Sequence, residues 1–432
     1  MKVSLISLGC PKNRIDSEVI IGEFGVSGYE ITQFPQDADI VIINTCAFIE
    51  SARDEARKII KQIVKLKEKK KSLLILVCGC LPQLAGSSLL DEFTQIDGIV
   101  GSSDFCKLPD IILKLKKNKK KITEIGTPNF IYNSHLPRLI STPSSYAYLK
   151  IAEGCSNHCS YCKIPQLRGE YRSREIKDIL NEAHNIAGMG YKELILIAQD
   201  TTNFGIDKGE RTLHKLLKEL TKIKEFLWIR LLYTHPAHFD DKLISIIENS
   251  PQICKYIDLP LQHTHSDILK RMNRPSWEQT KPLIKKLQKS GITIRTTFLV
   301  GFPGEEEKHF NKLLSDIEEF RFDWAGAFTY SCETDTPASD LPDQVSFKVK
   351  KERVERVFEL QKGITHKKNI ARKNKQFLVL IDTKEKGYSI GHSEFQCPEI
   401  DGKCYCPKKL NAGDVFMGEV KKVKGEYDLE VG

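Results

Sequence analysis

Short runs of apolar residues, separated by longer amphipathic stretches, dominate the first part of the chain. Three of these runs, Val3 to Leu8, Ile40 to Asn44 and Leu73 to Val77, are rich in Val, Ile and Leu, which is typical of strands buried in a parallel sheet. Helical stretches such as Ser51 to Lys69 lie between them. The alternation predicts βαβ units and therefore a doubly wound α/β domain over residues 1–120.

The same alternation resumes after a basic linker containing Pro and Ser, residues 121–144. Six more apolar runs predict strands separated by helices: Tyr146 to Ile151, Glu193 to Ala198, Leu227 to Tyr233, Lys255 to Pro260, Thr293 to Val300 and Gly326 to Tyr330. Six βα units indicate a partial TIM-like barrel whose active site lies at the carboxyl ends of its strands. A long charged helix from about Phe347 to Lys368 completes this domain, residues 145–370.

The last segment, residues 371–432, has a different pattern. Its short apolar runs are separated by Gly and Asp turns: Phe377 to Asp382, Tyr388 to Ile390, Lys403 to Cys406 and Val415 to Val423. This pattern predicts a small β-barrel. Small β-barrels bind RNA or polypeptides, so this segment alone identifies no function.

Composition and charge restrict the class of protein. The 432 residues are 40% hydrophobic and 28% charged, as in a soluble globular protein of two or three domains. No window approaches 18 uncharged apolar residues, and the amino terminus shows no signal-peptide pattern, so we expect a cytoplasmic protein without a membrane segment. The net charge of +9 is concentrated in the runs Lys65 to Lys71, Lys114 to Lys121 and Lys367 to Lys375. Solvated helix faces explain such runs; the alternative is a polyanionic partner such as a ribosome.

Three of the 13 cysteines, Cys155, Cys159 and Cys162, stand in a C-x₃-C-x₂-C arrangement. In a cytosolic chain, so many cysteines favour metal ligation over disulfides. Three thiolates can hold three irons of a 4Fe-4S cluster and leave the fourth iron open to a small-molecule ligand. A zinc knuckle is the alternative, but His158 has no partner at a standard zinc spacing.

A second set of cysteines follows the predicted strands of the first domain. Cys10, Cys46 and Cys80 stand after the first, second and third strands. Ligand sites in open α/β sheets form at the carboxyl ends of strands, so these distant cysteines are expected to converge on one edge, as a second cluster requires. The glycines beside Cys10 and Cys80 permit a close approach of the backbone. Ordinary buried cysteines are the alternative, and Cys78 fits that description.

The run from Glu153 to Cys162 resembles the cluster loop of radical S-adenosylmethionine (SAM) enzymes. Together with the second set of cysteines and a TRAM-like terminal β-barrel, it resembles the methylthiotransferase family over nearly the whole chain. That family has branches acting on tRNA adenosine and a branch acting on a ribosomal protein. Five runs are similar to the ribosomal-protein branch: Ser7 to Glu18, Asp258 to His263, Tyr330 to Glu333, Leu341 to Val345 and Pro398 to Gly402.

This resemblance implies two 4Fe-4S clusters and SAM as cofactors, with the six cysteines as the catalytic set. It implies that the cluster on Cys155, Cys159 and Cys162 splits SAM into methionine and a 5′-deoxyadenosyl radical. The radical is expected to abstract hydrogen from the β-carbon of an aspartate in ribosomal protein S-twelve. Another SAM is expected to methylate a sulfur held at the cluster on Cys10, Cys46 and Cys80.

Further roles around SAM follow from the same resemblance. Tyr161 is expected near the adenine, and Gly301 and Gly304 are expected to supply backbone near the adenosyl group. Glu193 is a candidate acceptor for the SAM ammonium, with a strand-end surface carboxylate as the alternative. Gln199 lies at the end of the same strand, where active-site groups sit in such barrels.

Two arginines are candidates for binding a carboxylate. Arg168 and Arg174 lie shortly after the cysteine loop, and guanidinium groups pair well with carboxylates. We therefore expect them to bind the SAM carboxylate or to orient the substrate aspartate.

The chain departs from the family pattern at three places. Gly391-His392-Ser393 stands where the family usually has Gly-Arg-Ser, Gln396-Cys397 replaces Asp-Ala, and Glu175 follows Arg174 where proline is usual. The first two lie in the β-domain thought to hold the protein substrate, so they are expected to affect docking.

The implied partners are ribosomal protein S-twelve or the small ribosomal subunit, and an electron donor such as a flavodoxin or ferredoxin. The sequence does not indicate the sulfur source. One alternative is a tRNA adenosine methylthiotransferase, which suits the basic charge. Another is a non-catalytic ribosome-associated iron–sulfur redox sensor, which would form no methionine or deoxyadenosine from SAM.

Overall fold

The computed structural model describes residues 1–118 and 120–432, and the chain divides into two compact units. The first unit comprises Met1–Ser141, Ala152–His158 and Cys162–Ile179, and the second comprises Thr142–Ile151, Cys159–Tyr161 and Leu180–Gly432. Lys119, within the predicted basic run Lys114 to Lys121, lies outside the described residues.

A six-stranded parallel sheet forms the first unit, in the order β2-β1-β3-β4-β5-β6. Its strands are β1 Lys2–Ser7, β2 Glu30–Ile31, β3 Ile40–Thr45, β4 Leu74–Gly79, β5 Gly98–Val100 and β6 Ile122–Glu124. The helices between them are α1 Pro11–Val26, α2 Glu50–Lys69, α3 Cys80–Ala85, α4 Ser88–Glu92 and α5 Leu108–Asn118. Every residue of the central strand β3 is buried. The predicted α/β fold of this part is confirmed.

The predicted strands of this part correspond to β1, β3 and β4. The sequence pattern missed β2, β5 and β6, because two or three residues are too few to show an apolar run. Since β6 pairs with β5, the sheet extends beyond residue 120. The prediction of a linker starting at residue 121 is therefore wrong at its first residues.

Strand β7, Tyr146–Lys150, belongs to the second unit, and the chain then returns to the first unit for a short segment. Strand β8, Ala152–Glu153, lies in this segment, and after Cys159–Tyr161 of the second unit the chain enters the first unit again with α6 Ile164–Arg168 and β9 Arg172–Ser173. Strands β8 and β9 pair in antiparallel fashion. The cysteine loop runs from the end of β8 to the start of α6.

A parallel sheet of six strands forms the main part of the second unit, in the order β14-β13-β12-β11-β10-β7. The helices and strands after β9 are α7 Ile176–Gly188, β10 Glu193–Ile197, α8 Leu213–Leu220, β11 Trp228–Leu231, α9 Asp241–Asn249, β12 Ile253–Asp258, α10 Ser266–Arg271, α11 Trp277–Lys289, β13 Thr293–Val300, α12 Glu307–Phe320 and β14 Trp324–Thr329. The sequential order of parallel strands confirms the predicted partial barrel.

The long helix α13, Phe347–Ile370, leads into a closed five-stranded β-barrel of order β15-β16-β17-β19-β18. The strands are β15 Gln376–Glu385, β16 Tyr388–His392, β17 Cys404–Cys406, β18 Val415–Lys424 and β19 Asp428–Val431. The sequence predicted the barrel but missed β19. In the part of the chain that the structure describes, no helix has both the length and the apolar character needed to cross a membrane.

Within the second unit, the terminal β-barrel contacts the parallel sheet near the amino ends of its strands. The Trp324 indole, on the first residue of β14, donates a 2.7 Å hydrogen bond to the Phe395 carbonyl oxygen. The Ser145 hydroxyl, just before β7, donates a 2.6 Å bond to Asp382 Oδ1. His392 and Cys397 are each 1% exposed. Neither side chain therefore lies on the surface, and the expected effect of these two departures on docking stays a prediction.

Candidate active site

Cys10, Cys46 and Cys80 lie at the carboxyl ends of three adjacent strands of the first unit. Cys10 precedes α1, Cys46 follows β3, and Cys80 is the first residue of α3. Burial, and then the neighbouring thiols of Cys80 and Cys10, raise the pKa of Cys46 to about 11. The three thiols are thus close enough to repel one another when ionised. The structure brings together the residues that the sequence predicted at this edge.

Glycines bring the backbone close to these thiols. Gly9 has a φ of +93°, and a Cβ atom there would lie 2.6 Å from Cys46 Cβ and 3.2 Å from its Sγ. Gly79 also has a φ of +93°, and its Cβ atom would lie 2.4 Å from the Asn44 Oδ1 atom. Only glycine fits both the positive φ and the contact.

Buried polar side chains at the strand ends hold this edge together, and the sequence analysis did not identify them. The Asn13 amide donates a 2.6 Å bond to the Leu8 carbonyl, and the Asn44 amide donates a 3.1 Å bond to the Asn13 carbonyl. The Thr45 hydroxyl donates to the Cys78 carbonyl at 2.7 Å and accepts from the Leu81 amide at 3.2 Å. The sequence signal for them is a polar residue at the end of an apolar strand. Such a residue is buried with the strand, and a buried polar group needs a hydrogen-bond partner.

The three thiols fit a metal cluster better than they fit an ordinary apolar core. Cys80 is 7% exposed, and its burial raises the pKa of its thiol. A cluster ligates thiolates, and its positive irons offset the desolvation and mutual repulsion that disfavour three ionised sulfurs in the free protein. The three thiols are therefore a donor set that fits an iron–sulfur cluster.

Arg168 pairs with protein carboxylates at this edge and not with a small-molecule carboxylate. Its Nη1 atom lies 2.6 Å from Asp16 Oδ2 and 3.5 Å from Glu153 Oε2, and the side chain is 5% exposed. The guanidinium also hydrogen-bonds the Cys80 thiol. We therefore correct the expectation that Arg168 binds SAM or the substrate aspartate, because protein carboxylates already occupy its donors.

Arg174 is likewise engaged by protein side chains. Its Nη2 atom lies 2.6 Å from Asp178 Oδ2, and its guanidinium stacks 4.3 Å from the centre of the Tyr132 ring. Its side chain is 1% exposed. The structure does not support a role in binding a ligand carboxylate.

The C-x₃-C-x₂-C loop is anchored at both ends within the first unit. The Cys155 amide donates a 3.1 Å bond to the Gly169 carbonyl, and Cys162 Sγ accepts from the Ile164 amide at 3.5 Å. Gly154 has a φ of +80°, and a Cβ atom there would lie 2.0 Å from the Glu170 carbonyl oxygen. These contacts fix the path of the backbone around two of the three cysteines.

Cys159 and Tyr161, which belong to the second unit, contact other parts of that unit. The Arg274 Nη1 atom donates to Cys159 Sγ at 4.0 Å. The Nε atom of Arg274 is buried and has no hydrogen-bond partner among the described residues. The Tyr161 ring meets the Phe302 ring edge-on, with 6.4 Å between centroids. No sequence motif predicts this role for Arg274, which lies in a loop far along the chain.

The loop from Gly301 to Gly304 is rigidly supported beside Tyr161. The amides of Gly301 and Phe302 donate to Glu305 Oε2 at 2.9 and 3.4 Å. Glu305 Oε1 accepts a 2.8 Å bond from Arg353 Nη1. The structure thus brings together two elements predicted around the adenosyl group, and it identifies Glu305 as the residue that supports the loop.

Glu193 lies at the wrong end of its strand for the role that the sequence suggested. It is the first residue of β10, whereas Gln199 lies beyond the carboxyl end. The six residues of extended chain that separate Glu193 from Gln199 span roughly 20 Å. Its carboxylate is fully buried and pairs with Arg230 and His392. The predicted role as acceptor for the SAM ammonium is therefore wrong, because Glu193 does not face the carboxyl edge. The alternative, a strand-end surface carboxylate, is also wrong, because Glu193 does not lie on the surface.

A polar cluster at the carboxyl edge comprises Asp200, His235 and His238, next to Gln199. Asp200 Oδ2 lies 2.7 Å from His238 Nδ1, and Asp200 Oδ1 accepts a 2.6 Å bond from the Thr202 hydroxyl. Burial lowers the pKa of His235 to about 2, so its ring is neutral. Its Nδ1 accepts from the Ala237 amide, which places the proton on Nε2.

Comparisons with known protein families match three segments of the chain. Residues 2–101 match the model described as uncharacterized protein family UPF0004, residues 149–317 match the radical SAM superfamily, and residues 375–431 match the TRAM domain. The fold and the cysteine loop define a radical SAM enzyme.

Near full-length relatives identify the family. The chain is 43% identical to ribosomal protein uS12 methylthiotransferase RimO of Desulforamulus reducens, over 99% of this chain and 98% of the relative. It is 45% identical to the protein of the same name from Caldanaerobacter subterraneus, over 99% and 98% of the two chains. The chain belongs to the RimO family of radical SAM methylthiotransferases. This family uses SAM and 4Fe-4S clusters.

Solved structures support the fold. The radical SAM methyltransferase TsrM from Kitasatospora setae has a TM-score of 0.57 and 15% identity, covering 76% of this chain and 72% of that one. The cobalamin-dependent enzyme OxsB has a TM-score of 0.53 and 12% identity, covering 84% and 56%. At these identities the similarity concerns the fold alone.

Proposed function

We propose that this chain methylthiolates the β-carbon of an aspartate in ribosomal protein uS12. The observation that carries the proposal is the 43% identity, over 98% or more of both chains, to a relative that is named for this activity. One SAM molecule serves as methyl donor, and another is the source of the radical. Cys10, Cys46 and Cys80 lie at the carboxyl edge of the first sheet, and the C-x₃-C-x₂-C loop follows strand β8.

The two sets of cysteines divide the work. Cys155, Cys159 and Cys162 would hold the cluster that, when bound, supplies the electron for splitting SAM into methionine and the 5′-deoxyadenosyl radical. Cys10, Cys46 and Cys80 would hold the second cluster and with it the sulfur to be transferred. The buried hydrogen bonds of Asn13, Asn44 and Thr45 keep the carboxyl edge of the first sheet ordered while these cysteines bind the cluster.

Residues of the second unit support a SAM site at the carboxyl edge of the partial barrel. The Tyr161 ring and the loop from Gly301 to Gly304 are proposed to contact the adenosyl group, which their mutual packing supports. Arg274 is proposed to bind the SAM carboxylate, in place of Arg168 and Arg174. Its buried Nε–H, which has no partner among the described residues, is a donor that the free protein does not use.

The electron donor and the location belong to the proposal as well. We propose that a flavodoxin or ferredoxin supplies the electron and that the enzyme works in the cytoplasm, where a ribosomal protein is available. Gln199, next to Asp200 at the carboxyl edge, is proposed to contact SAM or the substrate.

The direct test uses anaerobically purified protein, reconstituted with iron and sulfide and supplied with SAM and a reductant. Either uS12 or unmodified tRNA is added, and intact-mass analysis follows. We expect a methylthio group on uS12 and none on tRNA, together with methionine and 5′-deoxyadenosine. A gain on tRNA alone would replace the proposal with the tRNA enzyme. A failure to form deoxyadenosine under reducing conditions would favour the non-catalytic redox sensor.

A further inference from the structure

A single short helix connects the two sets of cysteines within the first unit. Helix α6 begins at Ile164, whose amide donates to Cys162 Sγ at 3.5 Å. It ends at Arg168, whose guanidinium hydrogen-bonds the Cys80 thiol. Five residues of helix thus separate a contact with one set of cysteines from a contact with the other.

The Arg168 side chain is held firmly in this position. Its Nη1 atom lies 2.6 Å from Asp16 Oδ2, and its Nη2 atom donates a 3.1 Å bond to Asn13 Oδ1. Glu153 Oε2 lies 3.5 Å from Nη1. The side chains of Asp16 and Glu153 are 4% and 8% exposed, so these are buried ion pairs. Because Asn13 in turn donates to the Leu8 carbonyl, the guanidinium is fixed to the same loop that carries Cys10.

We propose that Arg168 is a positioning residue for the triad of Cys10, Cys46 and Cys80, where it fixes Cys80 and keeps a positive charge against the cluster that these cysteines hold. The inference rests on the proposed function only in assigning a cluster to this triad. Hydrogen bonds to cluster sulfurs and nearby charge control reduction potential. A fixed cation stabilises the more reduced, more negative state, so Arg168 should make this cluster easier to reduce.

The test isolates the second cluster by starting from the Cys155→Ala, Cys159→Ala, Cys162→Ala variant, here called the parent. Reconstituted parent should hold about four irons. Its midpoint potential is measured by redox titration followed by electron paramagnetic resonance. We expect Arg168→Gln to shift the potential to a more negative value, and Arg168→Lys, which keeps the charge but loses the planar fork, to give a smaller shift of the same sign. Arg138→Gln is the matched control, because Arg138 is a buried arginine of the same unit that pairs with Glu18.

A further variant keeps the test decisive if Arg168→Gln does not fold with two unpaired carboxylates nearby. Arg168→Gln combined with Asp16→Asn removes the closer ion pair as a whole and should still shift the potential negatively, because Arg168 hydrogen-bonds Cys80 directly, whereas Asp16 hydrogen-bonds Arg168. An unchanged potential in iron-replete Arg168 variants, or an equal shift in Arg138→Gln, would overturn the inference and leave the proposed function intact. A parent without iron would overturn the cluster assignment and the inference together.

Discussion

Glu193 and His392 form a buried ion pair although 199 residues separate them along the chain. Glu193 begins strand β10 of the parallel sheet, and His392 ends strand β16 of the terminal β-barrel. His392 also lies 2.8 Å from Asp382 Oδ2. The histidine that stands in place of the family's usual arginine therefore keeps a positive charge between two carboxylates, and it joins the β-barrel to the end of the sheet opposite the candidate active site.

This ion pair predicts a specific pH dependence of stability. Burial alone would lower the pKa of His392, but the carboxylates of Asp382 and Glu193 outweigh burial and raise it to about 9. Because the folded-state pKa lies above the ordinary value of 6.5, the stabilisation is fully present below pH 6.5 and is lost as the pH rises through about 9. It amounts to roughly 3 kcal/mol at most. Urea unfolding of the wild type and of His392→Gln between pH 6 and pH 9.5 should show the wild type losing more stability; parallel curves would contradict the assignment.

The two sets of cysteines should be separable by iron content and product analysis. Reconstituted wild type should hold about eight irons, and either triple cysteine-to-alanine variant about four. The variant lacking Cys10, Cys46 and Cys80 should still form 5′-deoxyadenosine from SAM but transfer no methylthio group. The variant lacking Cys155, Cys159 and Cys162 should form neither product. Eight irons retained in either variant would contradict the assignment of its cysteines.

Gly9→Ala should damage the site around Cys10 without unfolding the first unit. The new methyl group would lie 2.6 Å from Cys46 Cβ. Gly28→Ala is the matched control, because Gly28 has a φ of +80° but no heavy atom within 4 Å of the added methyl among the described residues. Both variants carry backbone strain of about 1 kcal/mol or more, whereas only Gly9→Ala displaces a cysteine. We expect about four irons in Gly9→Ala and about eight in Gly28→Ala; equal iron contents would refute the role of Gly9.

Gly301→Ala should weaken SAM binding. Gly301 has a φ of +71°, and the added methyl would lie 2.2 Å from Cγ of the buried Lys350, at a cost of about 1–3 kcal/mol. Gly363→Ala in helix α13 is the control, since among the described residues no heavy atom lies within 4 Å of the added methyl. That control should gain about 0.5–1 kcal/mol from its helix propensity. Urea unfolding and equilibrium dialysis with SAM would check both results, and unchanged SAM affinity in Gly301→Ala would contradict the proposed adenosyl site.

The sequence predicted those parts of the site that depend on local pattern. Cys10, Cys46 and Cys80 could be predicted to converge because each follows an apolar strand and parallel strands end at the same edge. The cysteine loop could be recognised because all its ligands lie within a few residues. The folds of the first two regions followed from apolar runs that alternate with helical stretches, and the β-barrel followed from short apolar runs separated by Gly and Asp turns.

Features that depend on distant partners could not be predicted in this way. Nothing near Glu193 in the sequence shows that His392 neutralises it, and nothing near Arg168 shows that Asp16 and Glu153 occupy its donors. A carboxylate or guanidinium in a motif therefore suggested a ligand contact where the fold provides an internal ion pair. Arg274 was overlooked for the same reason, since only the tertiary structure places it beside Cys159.

The substrate is tested by intact-mass analysis of uS12 from cells with and without this gene. We expect uS12 to carry one methylthio group in place of one hydrogen when the gene is present, fragmentation to place that group on an aspartate, and the group to be absent when the gene is deleted. An identical uS12 mass in both strains, with uS12 unmodified in the strain that expresses the enzyme, would show that uS12 is not the substrate.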